Sequence, residues 1–224
     1  MLNFPQTTYF GKLVPKNKFY DKLTIDKKLE RSFIDQITSI RWVHKLSADT
    51  LNVEKGSTVQ EVEVFLVKLK TPELDINVLK QMDRQLPYHL IFILEFDGKI
   101  QVWTSYKEES TGAAFKVGSY YHTDWVTEDS FSFSITGLNM DTVYESLVRQ
   151  IAGETLAKEN DESLKETVER QAAREKLEKE IERLRKKIRN EKQFNRQVEL
   201  NRQLKMRTKE LEEIKNLQKV VGSK

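Results

Sequence analysis

The chain has 224 residues, with 38 basic side chains against 35 acidic ones for a formal net charge of +3, and it has no cysteine. The missing cysteine excludes disulfides, thiolate zinc sites and cysteine nucleophiles. Met1 to Tyr20 is broken by Pro5, Gly11 and Pro15, and the longest apolar stretch, Leu90 to Leu94, is too short to span a bilayer, so a soluble cytoplasmic protein is expected.

Phe4 to Lys22 mixes proline, glycine, lysine and aromatic residues and reads as an extended lead-in that packs by its aromatics. Asp26 suits the N-cap of a helix whose apolar face is Leu29, Phe33 and Ile37. Ile40 to Leu46 reads as a strand, and Ser47 to Ser57 as connecting structure around Gly56. Val59 to Lys70 alternates cleanly: Val62, Val64, Leu66 and Lys68 oppose Glu61, Glu63, Phe65, Val67 and Leu69, as in a strand running into a core. Thr71-Pro72-Glu73 opens a helix with Thr71 as cap and Leu74, Val78, Leu79 and Met82 inward, and Pro87 stops it.

Tyr88 to Phe96 is a buried strand, and Asp97-Gly98 signals a tight hairpin into Lys99 to Tyr106. Lys107 to Glu128, with Gly112, Gly118 and clustered aromatics, reads as a loop or broken hairpin. Phe131, Phe133 and Ile135 alternate as a short last strand, and Asp141 caps a helix with Val143, Leu147 and Ile151 inward. The expected fold is α+β: a small mixed sheet with packed helices over residues 1–153, with two parallel strands placed centrally by the strand–helix–strand unit.

Residues 154–224 form a charged arm. Leu177, Ile181, Leu184 and Ile188 recur at spacings of four, three and four, a coiled-coil seam that requires a partner helix. Leu200, Leu204, Leu211, Ile214 and Gln218 make a second seam. On one straight helix the two would point about 160° apart. Either the helix runs on and binds partners on opposite sides, or it reverses near Asn190–Asn195 as a helical hairpin, with Asn190 as C-cap and Asn195 as N-cap; the hairpin is the preferred arrangement. The arm's charge is uneven. Residues 154–182 carry a net −4, whereas the basic block 183–209 has eleven cations and only Glu191 and Glu199 against them. Such crowding over about 40 Å of helix favours a nearby anionic surface, nucleic-acid backbone or an acidic protein. The contact candidates are Arg183, Arg185, Lys186, Lys187, Arg189, Lys192, Phe194, Asn195, Arg196 and Arg202.

Catalytic signatures are sparse. His44, His89 and His122 stand at no metal-ligand spacing, and no Walker loop, dinucleotide fingerprint, HExxH or nucleophile elbow is present, so no cofactor is implied. The nearest approach to a metal-dependent nuclease site is Glu61, Glu63 and Lys68, carboxylates for Mg²⁺ with a lysine for the attacked phosphate. Asp97 and Lys99, the other such pair, are explained by the hairpin turn.

Three stretches carry a family resemblance. They are Gly11-Lys12-Leu13-Val14-Pro15-Lys16 with Phe19-Tyr20, Leu86-Pro87-Tyr88-His89 with Ser105-Tyr106-Lys107, and Glu191-Lys192-Gln193-Phe194-Asn195-Arg196-Gln197-Val198-Glu199-Leu200-Asn201. Together they resemble a bacterial and archaeal family known as domain of unknown function 4391. That resemblance implies an accessory role in anti-phage defence, because members tend to be encoded beside helicase and DNA-methyltransferase genes of restriction-like systems. It transfers no catalytic residues. The expectation is a non-catalytic adaptor subunit that binds a larger helicase or methyltransferase through the arm and DNA through the basic block. The alternatives are the metal-dependent nuclease and a homodimeric coiled-coil scaffold.

Overall fold

The computed structural model describes residues 2–20, 25–109, 115–158 and 162–217. Gly112 and Gln218, singled out above, lie outside these residues. The chain divides into two compact parts, Met1–Gly153 and Glu154–Lys224.

The first part is a mixed α+β domain on a seven-stranded sheet. Strands β1 (Tyr9–Val14), β2 (Ile37–Ser47), β3 (Glu61–Leu69), β4 (His89–Phe96), β5 (Lys99–Glu109) and β6 (Phe115–His122) lie side by side in sequence order, and β7 (Val126–Thr127) pairs with the start of β5. Every pairing is antiparallel except β3 with β4. The helices are α1 (Lys27–Gln36), α2 (Ala48–Leu51), α3 (Ile76–Gln85) and α4 (Met140–Ala152). The crossover through α3 makes the β3–β4 pair parallel, as the strand–helix–strand pattern requires.

The alternation of β3 sorts its side chains onto two faces. Phe65, Val67 and Leu69 join Leu90, Phe92 and Leu94 of β4 under Phe33 of α1 and Val78, Leu79 and Met82 of α3. Val62, Val64, Ile91, Ile93 and Val102 are buried on the opposite face. There the Tyr144 ring of α4 packs on His89, and its hydroxyl donates to the Ser105 carbonyl at 2.9 Å. With both faces covered, β4 has to be apolar throughout, which is why Leu90 to Leu94 show no alternation. Truncating a fully buried ring such as Phe92 would cost about 3–5 kcal/mol. The Asp97-Gly98 turn forms as predicted, with φ of 48° and 73° at its two residues, the left-handed conformations of a two-residue hairpin.

Several local expectations are corrected. The lead-in contains an edge strand, β1, whose sequence Tyr-Phe-Gly-Lys-Leu-Val is interrupted by a register shift at Gly11 and so lacks a clean period. Ile37 begins β2 rather than ending a helix face. Thr71 caps nothing: α3 starts at Ile76, where the Asp75 carboxylate accepts the Asn77 N–H at 3.0 Å, and the Thr71 hydroxyl donates instead to the Glu73 carbonyl. Residues 131–135 are not a strand. Phe133 is buried, packing against Phe4 and Phe131, while its N–H donates to the Leu2 carbonyl. Ser47 to Ser57 contains the short α2, closed by a Ser47–Thr50 capping box.

Candidate functional site

The second part contains two long helices, α5 (Leu164–Asn190) and α6 (Phe194–Leu217), joined by three residues. Ser163 and Glu166 form a capping box that starts α5. The helices run antiparallel, consistent with a helical hairpin: Glu180 pairs with Arg207 at 3.2 Å, and Glu178 with Lys215 at 3.4 Å. Near the turn the Gln197 amide donates to the Ile188 carbonyl at 3.4 Å. The reversal uses neither glycine nor proline. Glu191 leaves α5 in an extended conformation (φ −80°, ψ 129°), and its carboxylate accepts the N–H groups of Lys192 and Gln193 at 2.9 and 3.0 Å. An exit of this kind needs no left-handed residue. The expected caps therefore shift: Asn190 is the last residue of α5, the C-cap is Glu191, and Asn195 lies inside the first turn of α6.

The reversal turns the two apolar seams toward each other. Ile181 and Leu211 are buried, while Leu177, Leu184, Ile188, Leu204 and Ile214 are half-buried. The cations occupy the remaining surface. Among the described residues, ion pairs engage Arg207 and Lys209 of the basic block, and none engages Arg183, Arg185, Lys186, Lys187, Arg189, Lys192, Arg196, Arg202 or Lys205. Lys186, Lys187, Arg196 and Gln203 line a cleft of about 590 Å³, and Arg183, Lys187, Met206 and Arg207 line another of about 350 Å³. Phe194, at the start of α6, is 76% exposed. The predicted contact residues are thus gathered around one end of the hairpin and the flank next to it.

The carboxylates proposed in β3 meet a different lysine from the one expected. Lys68 lies on the opposite face of the strand and pairs with Glu95 of β4 at 3.0 Å, so the set Glu61, Glu63 and Lys68 does not assemble. The β2–β3 register instead places Lys45 opposite Glu63, and its ammonium reaches Glu61 at 2.8 Å. Glu63 is 2% exposed, with the Glu61 carboxylate and the Trp42 side chain as polar neighbours. Burial, then the neighbouring Glu61 carboxylate, pushes its pKa up to about 8. Glu61 and Lys45 also line a cleft of about 510 Å³ with Asp49, Thr50, Lys55 and Gln60, two acids against two bases.

Several further polar contacts were not visible in the sequence. Lys107 of β5 is fully buried against Asp83 of α3 at 2.9 Å, and its ammonium also donates to the carbonyls of Asp83, Leu86 and Tyr88, closing the C-terminal end of that helix. The Tyr120 hydroxyl donates to the other Asp83 oxygen. Burial lowers the Lys107 pKa, and Asp83 opposes that shift. Asp141 is not the cap of α4; Asn139 is, in a capping box with Thr142. The Asp141 carboxylate instead accepts the N–H groups of Ser57, Thr58 and Val59 and the hydroxyls of Ser57 and Thr58, at 2.6–3.1 Å. Burial alone would raise its pKa, but these five donors overcome that and hold it well below the ordinary value. Gly56 permits the approach, since a Cβ there would stand 2.5 Å from an Asp141 oxygen. His44 binds the Thr8 hydroxyl at 2.8 Å, and His122 stacks on Trp103.

No helix among the described residues is long and apolar enough to cross a membrane. No curated protein and no solved structure matches the chain. A family model does match, over residues 2–211, and so takes in the sheet domain and most of the hairpin. The chain belongs to the family described as Domain of unknown function (DUF4391).

Proposed function

We propose that this protein is a non-catalytic adaptor of a restriction-like anti-phage defence complex, acting in the cytoplasm. Its hairpin engages DNA backbone and a larger helicase or methyltransferase subunit. The observation that carries this reading is the set of nine cations around the hairpin turn with no ion-pair partner among the described residues. Like charges so crowded repel one another, and phosphate relieves that repulsion. The two seams close on each other as an antiparallel coiled coil, which leaves the exposed Phe194, Val198 and Met206 free to meet a protein partner.

The test is anisotropy of labelled duplex DNA with the full chain between about 50 and 200 mM salt. If four or five cations neutralise phosphates, log K falls with log salt at a slope of about −4. Replacing Arg185, Lys186, Lys187 and Arg189 with glutamine would flatten that slope by about one for each phosphate no longer neutralised. Absence of binding at low salt, or an unchanged slope in the variant, refutes the DNA part. Native-host co-purification in which neither a helicase nor a methyltransferase is recovered refutes the adaptor part.

A further inference from the structure

We propose that Phe194, at the turn of the hairpin, stacks on an unpaired nucleobase, so that the hairpin prefers single-stranded DNA to uninterrupted duplex. The inference rests on the reading of the basic block as a DNA surface, and it deepens that reading by naming the form of DNA.

The turn presents the ring. Helix α6 begins at Phe194, which is 76% exposed. Residues 192–196 are all exposed and run Lys-Gln-Phe-Asn-Arg, so the ring is the only large apolar side chain among them. The backbone that carries it is held in place. The Glu191 carboxylate accepts the N–H groups of Lys192 and Gln193. The Gln197 amide donates to the carbonyls of Ile188 and Glu191 at 3.4 and 3.3 Å, which ties the first turn of α6 to the end of α5. A ring mounted on a fixed turn loses little further freedom when a flat partner covers it.

The charge around the ring selects that partner. Lys192 and Arg196 stand two residues to either side of Phe194, and Lys186, Lys187 and Arg189 lie near the end of α5, just before the turn. Among the described residues, ion pairs of the basic block engage Arg207 and Lys209 and none of these five. An aromatic ring set among free cations matches what a single strand requires, where lysine and arginine follow the backbone and the ring stacks on a base. In an uninterrupted duplex the bases stack on one another, and exposing a face to the ring would first require one to be unstacked. Val198 and Met206, the other exposed apolar residues of α6, lie about 6 and 18 Å further along the helix and stay open to a protein partner.

Electrostatics alone predicts the opposite preference. Each phosphate neutralised contributes about 0.9 to the salt slope on duplex DNA and about 0.7 on a single strand, because the duplex carries the denser charge. A preference for single strands therefore reports stacking.

The experiment measures anisotropy of one labelled mixed-sequence oligonucleotide with the full chain, single-stranded and annealed to its complement, at the same salt concentration. The wild type should bind the single strand more tightly. Phe194→Ala should lower the ratio of single-strand to duplex affinity about ten-fold, and Phe194→Trp should keep it. The added indole should also be quenched by single-stranded DNA beyond any change in the wild type, whose tryptophans are Trp42, Trp103 and Trp125. The exposed position spares the core in both variants, and circular dichroism checks that the helices are intact. A wild type that favours duplex, or a ratio unchanged in Phe194→Ala, overturns the inference and leaves the DNA reading standing. Binding to neither form overturns the DNA reading and this inference with it.

Discussion

The buried Asp83–Lys107 pair offers the sharpest test of what holds α3 to the sheet. Neither side chain has any exposed surface, and their charged atoms are 2.9 Å apart. Asp83→Asn takes away the ammonium's carboxylate counter-charge, and removing one member of a buried pair costs about 3–5 kcal/mol. Lys107→Met strips the donor from the carbonyls of Asp83, Leu86 and Tyr88 and leaves the carboxylate without a counter-charge, for about 4 kcal/mol or more. Each loss is a large share of the roughly 5–15 kcal/mol that stabilises an ordinary domain. The double variant Asp83→Leu with Lys107→Met removes both charges and should cost much less than the sum. It still takes Asp83 from the Tyr120 hydroxyl and the ammonium from the three carbonyls, which keeps a residual penalty of about 1–3 kcal/mol. Urea unfolding followed by tryptophan fluorescence measures all three variants, and a loss of about 4 kcal/mol shifts the midpoint by about 2 M. A coupling energy near zero, or a single variant costing under about 1 kcal/mol, would refute the claim that the pair acts as one buried element.

Other expectations follow from the same geometry. Burial holds His44 and His89 at a folded pKa of about 4 against an ordinary 6.5. The unfolded chain therefore binds more protons between those values, and stability should fall as pH drops from about 6.5 to 4, by up to about 1.4 kcal/mol per pH unit for each histidine. Urea midpoints at pH 7.5, 5.5 and 4.5 check this; a slope unchanged in His44→Gln and His89→Gln would count against it. Asp141→Asn should cost about 2 kcal/mol at neutral pH by weakening five charge-assisted bonds. Because the folded carboxyl titrates below its ordinary 3.8, the contribution is full above that value and disappears as pH falls through the depressed one, so wild type and variant should converge in acid. In the hairpin, Ile181→Ala should destabilise the helix pair by about 2 kcal/mol, read as helical circular dichroism lost at a lower temperature.

Much of the fold is legible because local pattern and tertiary role coincide. The period-two pattern of Val59 to Lys70 reports two buried faces, and Asp97-Gly98 reports its own backbone conformation. The hairpin is legible from a phase argument, since two seams about 160° apart on one helix meet if the helix reverses. The misses arise where a side chain's partner is distant in sequence. Asp141 reads as a cap because Asp commonly caps helices, but its donors lie more than eighty residues earlier. Phe131-Ser-Phe-Ser-Ile135 alternates like a strand, yet Phe133 is held by packing without a ladder. Lys68 is the nearest lysine to Glu61 and Glu63 along β3; the pleat places it on the other face, and Lys45 arrives through the register of a different strand. Lys107 reads as the start of a polar loop, and nothing in its neighbours announces complete burial.

The order of the strands has a consequence for how the domain is made. Along the path from β1 to β6, each strand lies beside the one that precedes it in the chain, and only the passage through α3 interrupts a run of adjacent antiparallel pairings. No strand has to be inserted between two that have already joined. A chain emerging from the ribosome can add each new strand to an edge that is already formed, and apart from the crossover each addition closes only a modest loop. The sheet can grow in the direction of synthesis, and the hairpin follows once the layer that α4 covers is complete.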